Sequence, residues 1–208
     1  MLLSPNTRGL DDAAVAINNG DLIAFPTDTF FALGANGLDS SAVENVFLTK
    51  GRNPGTPVPL LISQINMVEK LVSDFPDVLQ RLAEEFWPGA LTIVLPAANT
   101  VPAVVTAGTK TVGLRIPNHD VARNLIDLAG TPLTGTSCNL TGRDPIKEAA
   151  IVEQVFGDQI TVCIDAPCGD STAPSTVVSY EDNKINVLRQ GAISLESIRN
   201  TVGDIVVT

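Results

Sequence analysis

Lys50 and Arg52 stand on either side of Gly51, directly after a segment with helical periodicity. A guanidinium group binds phosphate oxygens as a two-pronged fork and an ammonium group binds them as a point charge, so this pair could clamp a phosphate. Basic residues are also favoured at helix C termini by the helix dipole. For this segment alone, the binding explanation and the structural explanation are equally open.

Polar side chains follow several predicted strands. Thr29 lies in the segment 26–34, P-T-D-T-F-F-A-L-G, which begins where a predicted strand ends, and Ser137 and Asn139 leave another strand towards Gly142. Because open α/β sheets bind ligands at the carboxyl ends of their strands, these hydroxyl and amide groups could line a substrate site. Pro, Thr, Asp, Asn and Gly are also common in turns, so a plain turn is the alternative for each segment.

Further cations and hydroxyl groups occupy comparable positions later in the chain. Arg115 ends a predicted strand, where its fork could hold a carboxylate or a phosphate. Ser175, Thr176 and Arg189 place two hydroxyl groups and another guanidinium beside the last predicted strands. The pattern therefore predicts a polar site assembled from distant segments.

Other familiar chemistries find no support in the sequence. His119, the only histidine, directly precedes a predicted helix, which favours a cap or surface role over that of a general base. The cysteines Cys138, Cys163 and Cys168 form no C-x-x-C pair, and Cys138 has no histidine in its segment to activate it. Walker, G-x-G-x-x-G and H-E-x-x-H motifs are absent, and no protein metal site is predicted.

The elements that must position these residues alternate between strands and helices, which is typical of an α/β fold with helices packed on the sheet. Strands are predicted over 22–25, 58–62, 91–95, 112–115, 133–136, 160–164, 176–179 and 185–188. Helices are predicted over 10–18, 41–50, 67–72, 78–86, 121–128, 147–156 and 195–200, the second with Ser41 and Glu44 as a capping box. The segment 166–175 is expected to be a surface loop or a mobile lid.

Length and charge limit the classes of function. The 208 residues are expected to form a single domain over 1–208, large enough to bury a core without disulfides or a structural metal. With 13 Lys and Arg against 23 Asp and Glu, the net charge of −10 argues against a broad nucleic-acid-binding face, although a local pocket for an anion is compatible with it. The unpaired cysteines and the lack of a signal peptide or membrane span favour a cytoplasmic protein without membrane contact.

Seven motifs occur in a fixed order: P-T-D-T-x-x-x-L-G, K-G-R, W-P-G-x-L-T, G-x-R-x-P-x-H, T-S-x-N-x-[ST]-G, P-S-T-V-V and L-R-x-G-A-I. Together they closely resemble the YrdC-like family of threonylcarbamoyl-AMP synthases, over roughly residues 10–198. The resemblance implies a twisted mixed α/β sheet flanked by helices around a large cationic cleft. It also implies a nucleotidyltransferase that forms threonylcarbamoyl-AMP and pyrophosphate from L-threonine, bicarbonate and ATP.

The resemblance assigns roles residue by residue. Lys50 and Arg52 would be the catalytic, triphosphate-binding pair. The remaining ATP-binding residues would be Ser137, Asn139, Ser175 and Arg189, and the threonine-binding residues would be Thr29, Arg115 and Thr176. Mg²⁺ would enter with ATP, and the product would pass to a tRNA threonylcarbamoyl transferase complex.

Departures from the family pattern keep two alternatives open. Phe31 and Ala32 stand where the family usually has Tyr-Gly, which removes a phenolic hydroxyl near the expected threonine site and could alter substrate preference or activity. One alternative is therefore a carbamoyl-adenylate-forming enzyme with another acceptor. The other, suggested by the cationic cleft of the family, is a protein that acts mainly as an RNA-binding or ribosome-maturation factor, which the net charge of −10 disfavours. Weak RNA binding is expected at most.

Overall fold

Strands and helices alternate along the chain, and the strands are divided between two mixed sheets. The structure, a computed structural model, describes residues 1–203 and 205–207. Its strands are β1 Leu2–Leu3, β2 Ile23–Phe25, β3 Ala32–Gly34, β4 Leu60–Leu61, β5 Leu91–Pro96, β6 Thr111–Arg115, β7 Leu133–Thr134, β8 Thr136–Ser137, β9 Val162–Ile164, β10 Thr176–Glu181, β11 Lys184–Arg189 and β12 Val206–Val207. Its α-helices are α1 Thr7–Asn18, α2 Ser40–Lys50, α3 Asp77–Phe86, α4 Ala103–Thr106, α5 Asp120–Ala129, α6 Ala149–Phe156 and α7 Leu195–Val202. The predicted mixed α/β class is confirmed.

The smaller sheet has five strands in the order β1-β9-β2-β3-β8 and is covered by helices on both faces. Alternation along β2 produces this arrangement, because successive side chains of a strand point to opposite faces. Ile23 and Phe25 pack with α1 and α5, whereas Ala24 packs with α2 and α6. This sheet is therefore a buried platform, and it meets the rest of the molecule along its β3–β8 side.

The larger sheet has seven strands in the order β12-β11-β10-β5-β6-β4-β7 and is packed differently on its two faces. Leu91, Ile93 and Leu95 of β5 enter the main hydrophobic core beneath α3 and α7. The intervening Thr92 and Val94 line a cavity on the opposite face. Strict alternation in one strand thus separates the side of the sheet that stabilises the fold from the side that can bind a ligand.

The two sheets are joined by a very short crossing. The strand expected over 133–136 is divided: β7 pairs with β4 in the larger sheet, and β8 pairs with β3 in the smaller one. Gly135 between them donates its N–H to the Pro59 carbonyl at 2.7 Å. A Cβ at this position would lie 2.8 Å from Cγ of Leu61, so only glycine fits without displacing its neighbours.

Several local predictions differ from the structure. The capping box at Ser41 was wrong, because the helix starts one residue earlier and Asp39 caps it by accepting from the N–H groups of Ser41 and Ala42. The expected helix over 67–72 is a 3₁₀ helix over Ile65–Lys70, and the strand over 58–62 shortens to β4. Sequence patterns did not indicate β3, because it is only three residues long and uniformly buried, without the alternation that marks a strand. No helix among the described residues is long and apolar enough to cross a membrane.

Candidate active site

A cavity of about 480 Å³ lies between the open face of the larger sheet and the β3–β8 side of the smaller one. Three arginines and several hydroxyl-bearing side chains line it, together with apolar residues of both sheets. Among residues 1–203 and 205–207, none that lines the cavity is acidic. Its position and its polar groups make it the candidate active site.

Six of the nine site residues predicted from the sequence line this cavity: Thr29, Arg52, Arg115, Ser137, Ser175 and Arg189. The other three, Lys50, Asn139 and Thr176, do not line it and are bonded to the surrounding backbone. The chain therefore brings together residues from six separate segments. It also divides the predicted residues into those that face a ligand and those that hold them in place.

Arg52 projects from the turn after α2 and is oriented by two acceptors. Its Nη1 donates to Oγ1 of Thr136 at 3.1 Å, and its Nη2 donates to the Pro57 carbonyl at 2.7 Å. The guanidinium carbon also lies 5.9 Å from the ring centroid of Phe47. Because both contacts leave further N–H groups of the fork without an acceptor, Arg52 can bind an anion while its position stays fixed.

Arg189 reaches the cavity because of a β-bulge. Val178 is opposite Val187 in the β10–β11 pair, but Val177 is opposite Arg189, so Leu188 is the extra residue. The bulge places Arg189 beside Val177 on the cavity face, where the uninterrupted register would have placed Leu188. Bulges of this kind often reorient a side chain next to a binding site.

Ser175 holds the guanidinium of Arg189 in place. Its carbonyl accepts from Nε and Nη2 of Arg189 at 3.1 and 2.8 Å, and its hydroxyl accepts from Nη2 at 3.0 Å. The Ser175 hydroxyl is in turn 2.9 Å from Oγ1 of Thr92 on the neighbouring strand β5. Thr92 therefore supports Arg189 through Ser175, a role that the sequence analysis did not assign.

Arg115 ends β6 at the other side of the cavity and is almost fully buried. Its Nε donates to the Gly89 carbonyl at 2.8 Å, and its Nη1 lies 3.4 Å from Oγ1 of Thr29. Its Nη2 forms an ion pair with Oδ1 of Asp28 at 2.5 Å. Asp28 is not among the predicted site residues, although it lies within the P-T-D-T motif.

The three arginines are close enough to influence one another's charge. Burial lowers the pKa of Arg52, and repulsion from Arg189 lowers it further. Burial also lowers the pKa of Arg189, with an additional contribution from the charge of Arg115. The positive charges of Arg52 and Arg189 are thus partly desolvated and each faces another arginine, so a bound anion would relieve both costs.

Lys50 is buried and bonded to the segment that follows β8. Its ammonium donates to the carbonyls of Ser137 and Asn139, the latter at 2.7 Å, and to Oδ1 of Asn139 at 3.3 Å. Burial lowers the pKa of Lys50 to about 8, and the charge of Arg52 contributes in the same direction. In this structure Lys50 positions Ser137, which does line the cavity, instead of facing the cavity itself.

Asn139 and Thr176 have similar structural contacts. The Asn139 amide donates to the carbonyls of Leu140 and Arg143, and its oxygen accepts from the Ser137 hydroxyl at 2.5 Å. The Thr176 hydroxyl donates to the Ile193 carbonyl and accepts from the N–H of Gly191. Both side chains thus use their polar groups to fix backbone that carries cavity residues.

The segment 166–175 is attached to the site by backbone hydrogen bonds. The N–H of Gly169 donates to the Thr27 carbonyl at 3.0 Å, and Lys147 donates to the Gly169 carbonyl at 3.2 Å. His119 places Nε2 2.9 Å from the Pro167 carbonyl, and it does not line the cavity. His119 stands at the N-cap position of α5, where a cap or surface residue was predicted, but its side chain makes no cap bond and contacts this segment instead.

The cysteines have no place in this chemistry. Cys138 and Cys163 are buried, and burial raises the pKa of Cys138 far above that of a free thiol. Burial likewise raises the pKa of Cys163 to about 12. A thiol that stays protonated is a poor nucleophile.

Comparison with known proteins places the chain in a family. The Sua5/YciO/YrdC family model, which carries the description "Telomere recombination", matches residues 15–191. The chain belongs to the Sua5/YciO/YrdC family. The predicted resemblance is thereby confirmed.

Curated relatives of this Sua5/YciO/YrdC chain carry consistent names. The threonylcarbamoyl-AMP synthase of Pyrococcus abyssi is 38% identical over 193 residues, which cover 93% of this chain and 57% of that protein. The Bacillus subtilis enzyme of the same name is 34% identical over 98% of this chain and 59% of its own length. A putative threonylcarbamoyl-AMP synthase of Mycobacterium tuberculosis is 36% identical and is covered to 90%. The chain thus spans less than two thirds of the first two relatives and most of the third.

Solved structures of Sua5/YciO/YrdC proteins match the whole fold. Pyrococcus abyssi Sua5 complexed with L-threonine superposes with a TM-score of 0.95 at 34% identity, over 99% of this chain and 62% of that one. Escherichia coli YciO superposes with a TM-score of 0.84 at 24% identity, over 95% and 98% of the two chains. At 24% identity, the match to YciO shows a shared fold and nothing more.

Proposed function

We propose that the chain is a nucleotidyltransferase that forms threonylcarbamoyl-AMP and pyrophosphate from L-threonine, bicarbonate and ATP. The observation that carries the proposal is the meeting of Arg52, Arg115 and Arg189 in one hydroxyl-lined cavity. The names of the relatives support this reaction, as does the L-threonine in the Pyrococcus abyssi Sua5 structure. We further propose that this cavity is the cationic cleft implied by the sequence motifs.

In the nucleotide half of the cavity, Arg52 and Arg189 would hold the triphosphate. Both have N–H groups left for phosphate oxygens, and both are held by neighbouring carbonyls. Ser137, Ser175 and Asn139 would complete the nucleotide site, Asn139 through the Ser137 hydroxyl that it fixes. Lys50, predicted as the second catalytic cation, would position this segment and strengthen the positive potential next to Arg52.

In the acceptor half, Arg115 would bind the threonine carboxylate and Thr29 its hydroxyl. Thr176 would contribute by fixing the loop that follows Arg189. Bicarbonate would release CO₂ and hydroxide, and the threonine nitrogen, once it has lost a proton to water, would attack the carbon of that CO₂. One C=O electron pair would move to oxygen and the nitrogen would give a second proton to the hydroxide, which leaves a carbamate and water. A carbamate oxygen then attacks the α-phosphorus of ATP, the bond between the α- and β-phosphates breaks, and pyrophosphate leaves with the electron pair. No protein nucleophile is needed, so positioning and charge stabilisation supply the catalysis.

Mg²⁺ would be bound mainly by the phosphates of ATP. Magnesium prefers oxygen ligands, above all carboxylates and phosphates, and commonly binds together with a nucleotide. Among residues 1–203 and 205–207, no three His, Cys, Asp or Glu side chains are grouped so that they could hold a metal ion. When bound, the ion would offset the negative charge of the triphosphate next to Arg52 and Arg189.

Mass detection of the product tests this function directly. The purified protein is incubated with ATP, Mg²⁺, bicarbonate and L-threonine, and threonylcarbamoyl-AMP and pyrophosphate are quantified by liquid chromatography. We expect both products, with formation dependent on bicarbonate and on threonine. Arg52→Ala should reduce the rate by about 10²–10³-fold, the usual cost of losing a charge-stabilising group. Equal rates for Arg52→Ala and the unchanged protein would contradict the proposal.

One alternative acceptor follows from Phe31, which is fully buried and lines the cavity in place of the usual tyrosine. A panel of amino acids in the same assay decides whether threonine is the preferred acceptor. The product would pass to a tRNA threonylcarbamoyl transferase complex, and any RNA affinity of this chain would be weak. The three cysteines are free thiols, which fits the cytoplasmic location that we propose.

A further inference from the structure

The turn over residues 27–30 forms one wall of the acceptor half of the cavity. Thr27, Thr29 and Phe30 all line the cavity. The Thr27 hydroxyl closes the turn, since it donates to the Phe30 carbonyl at 2.8 Å and accepts from the N–H of Thr29 at 3.2 Å. Oγ1 of Thr29 lies 3.4 Å from Nη1 of Arg115. The position of this turn therefore affects both groups that we propose to bind threonine.

Lys147 contacts the turn at both of its ends. Its Nζ donates to the Gly169 carbonyl at 3.2 Å, and the N–H of Gly169 donates to the Thr27 carbonyl at 3.0 Å. The same Nζ lies 5.5 Å from the ring centroid of Phe30, within the range of a cation–π contact. One ammonium group thus connects the residue that begins the turn with the residue that ends it.

The backbone keeps Lys147 and Gly169 next to the turn. The carbonyl of Ile146, the residue before Lys147, accepts from the N–H of Phe31 at 2.9 Å. Gly169 packs so closely that a Cβ there would lie 2.6 Å from the Asp28 carbonyl oxygen. Both partners of the Lys147–Gly169 hydrogen bond are therefore anchored to the turn itself or to the residue after it.

Lys147 uses its charge for these contacts and not for an ion pair. Its side chain is half-buried, and it has no acidic partner within 4.0 Å in the part of the chain that the structure describes. A hydrogen bond from a charged donor contributes more than one between neutral groups, and a carbonyl and an aromatic face are both directional partners. The ammonium group is therefore suited to fixing the geometry of the turn.

We propose that Lys147 is a positioning residue of the acceptor half. Through Gly169 and Phe30 it fixes the turn, so that the Thr29 hydroxyl stays directed at the cavity and in contact with Arg115. Lys147 lies outside the lining of the cavity, so it acts through the turn and not on the substrate. This inference rests on the proposed function, since it concerns the affinity for the threonine of the same reaction.

The nucleotide half is held by other contacts. Arg52 is oriented by Thr136 and the Pro57 carbonyl, and Arg189 is oriented by Ser175. The contacts of Lys147, to the Gly169 carbonyl and the Phe30 ring, involve none of these residues. Loss of the Lys147 ammonium should therefore weaken the use of threonine and leave the use of ATP nearly unchanged.

Steady-state kinetics of pyrophosphate release test this role. For Lys147→Met we expect KM for threonine to rise about tenfold, with KM for ATP and kcat within about twofold of the unchanged protein. Lys147→Arg keeps a charged donor beside Phe30 and should stay within about threefold in KM for threonine. The matched control is Lys184→Met, which removes an exposed lysine and should leave both KM values unchanged.

Two kinetic outcomes would overturn the role of Lys147. If both KM values rise in parallel in Lys147→Met, the lysine supports the whole fold and not the acceptor half. If KM for threonine stays the same, the backbone bonds hold the turn unaided.

Hydrogen exchange tests the contact without the reaction. Lys147→Met should speed exchange in the segment 166–175, whereas Lys147→Arg and Lys184→Met should not. Unaltered exchange in Lys147→Met would also overturn the proposal. Absence of pyrophosphate release by the unchanged protein with ATP, bicarbonate and threonine would instead contradict the proposed function, so the two failures are distinguishable.

Discussion

The ammonium group of Lys50 lies 2.7 Å from the carbonyl oxygen of Asn139, 89 positions further along the chain. The contact is reciprocal, because the N–H of Thr141 donates to the Lys50 carbonyl at 3.0 Å. Helix α2 and the segment after β8 are therefore joined by both side chain and backbone. The joint fixes Ser137 on one side of the cavity and Arg52 on the other.

Replacement of Lys50 should destabilise the fold as well as reduce activity. Lys50→Met leaves the Ser137 and Asn139 carbonyls without their donor, and the free energy of unfolding should fall by about 2–4 kcal/mol. Urea denaturation followed by circular dichroism measures this loss. The matched control is Lys184→Met, which removes an exposed lysine and should change stability by less than about 0.5 kcal/mol. If Lys50→Met and Lys184→Met had the same free energy of unfolding, Lys50 would not stabilise the fold and would act only in catalysis.

The stability contributed by Lys50 should depend on pH with a defined sign. Its pKa is about 8 in the folded protein and 10.5 when unperturbed, so between these values the unfolded chain binds more protons. The unchanged protein should gain stability relative to Lys50→Met as the pH rises from 8 to 10, by at most about 1.4 kcal/mol per pH unit. Paired denaturation curves at pH 7 and pH 10 provide the comparison. A gap that narrows with rising pH would contradict the lowered pKa.

Arg52→Lys should impair catalysis while the fold remains intact. The ammonium of lysine cannot donate simultaneously to Thr136, Pro57 and a phosphate, as the arginine fork can. We expect kcat/KM for ATP to fall by about 100-fold with little change in melting temperature. Arg8→Lys is the matched control, since the Arg8 side chain is 92% exposed. If kcat/KM for ATP were the same in Arg52→Lys and Arg8→Lys, a positive charge at position 52 would suffice and the guanidinium fork would not be needed.

Thr92→Val should weaken ATP binding through Ser175 and Arg189. Valine has nearly the same shape but cannot bond the Ser175 hydroxyl, which lies 2.9 Å from Oγ1 of Thr92. We expect KM for ATP to rise about fivefold, as for the loss of one hydrogen bond of about 1 kcal/mol, with kcat within about twofold. Thr92→Ser should keep the KM of the unchanged protein. A KM unaffected in Thr92→Val would mean that Ser175 holds Arg189 unaided.

Cys168 should be the only thiol that reacts readily in the folded protein. It is half-buried with a pKa raised by burial to about 11, whereas Cys138 and Cys163 are fully enclosed. Labelling with a chromogenic disulfide should modify one thiol under native conditions and three in denaturant. The labelling rate of the native protein should rise between pH 8 and pH 10, because the thiolate is the reactive form. Cys168→Ser should abolish the native reaction. Two fast thiols in the folded protein would mean that the core near Cys138 opens easily.

The sequence predicts which segments meet but not how each side chain is used. Motif order identifies Arg52, Arg115, Ser175 and Arg189, and all four line one cavity. Lys50 has the same sequence signal as Arg52, yet it is directed to two carbonyls, because the path of the segment after β8 is set by tertiary packing. Periodicity and composition carry no information about such long-range acceptors.

The positions of Thr92 and Arg189 illustrate the same limit in the sheet. Alternation in L-T-I-V-L places Thr92 opposite the core side chains, so its orientation could have been read from the sequence once a two-faced strand was assumed. Arg189 depends on a bulge at Leu188, and neither residue next to Leu188 is a glycine that would mark the bulge in the sequence. A one-residue shift in register moves a side chain to the opposite face of the sheet. The register is set by pairing with a strand that is distant in the sequence, so it cannot be read from the local residues.

The crossing at Gly135 restricts how proteins of this architecture can diverge. One residue separates the strand that belongs to the larger sheet from the strand that belongs to the smaller sheet, and residues of both sheets line the cavity. Loops at the edge of the cavity can lengthen or shorten during evolution without altering the distance between the two sheets. An insertion at this single residue would change that span and turn Ser137 away, so natural variation in chain length should accumulate everywhere except here.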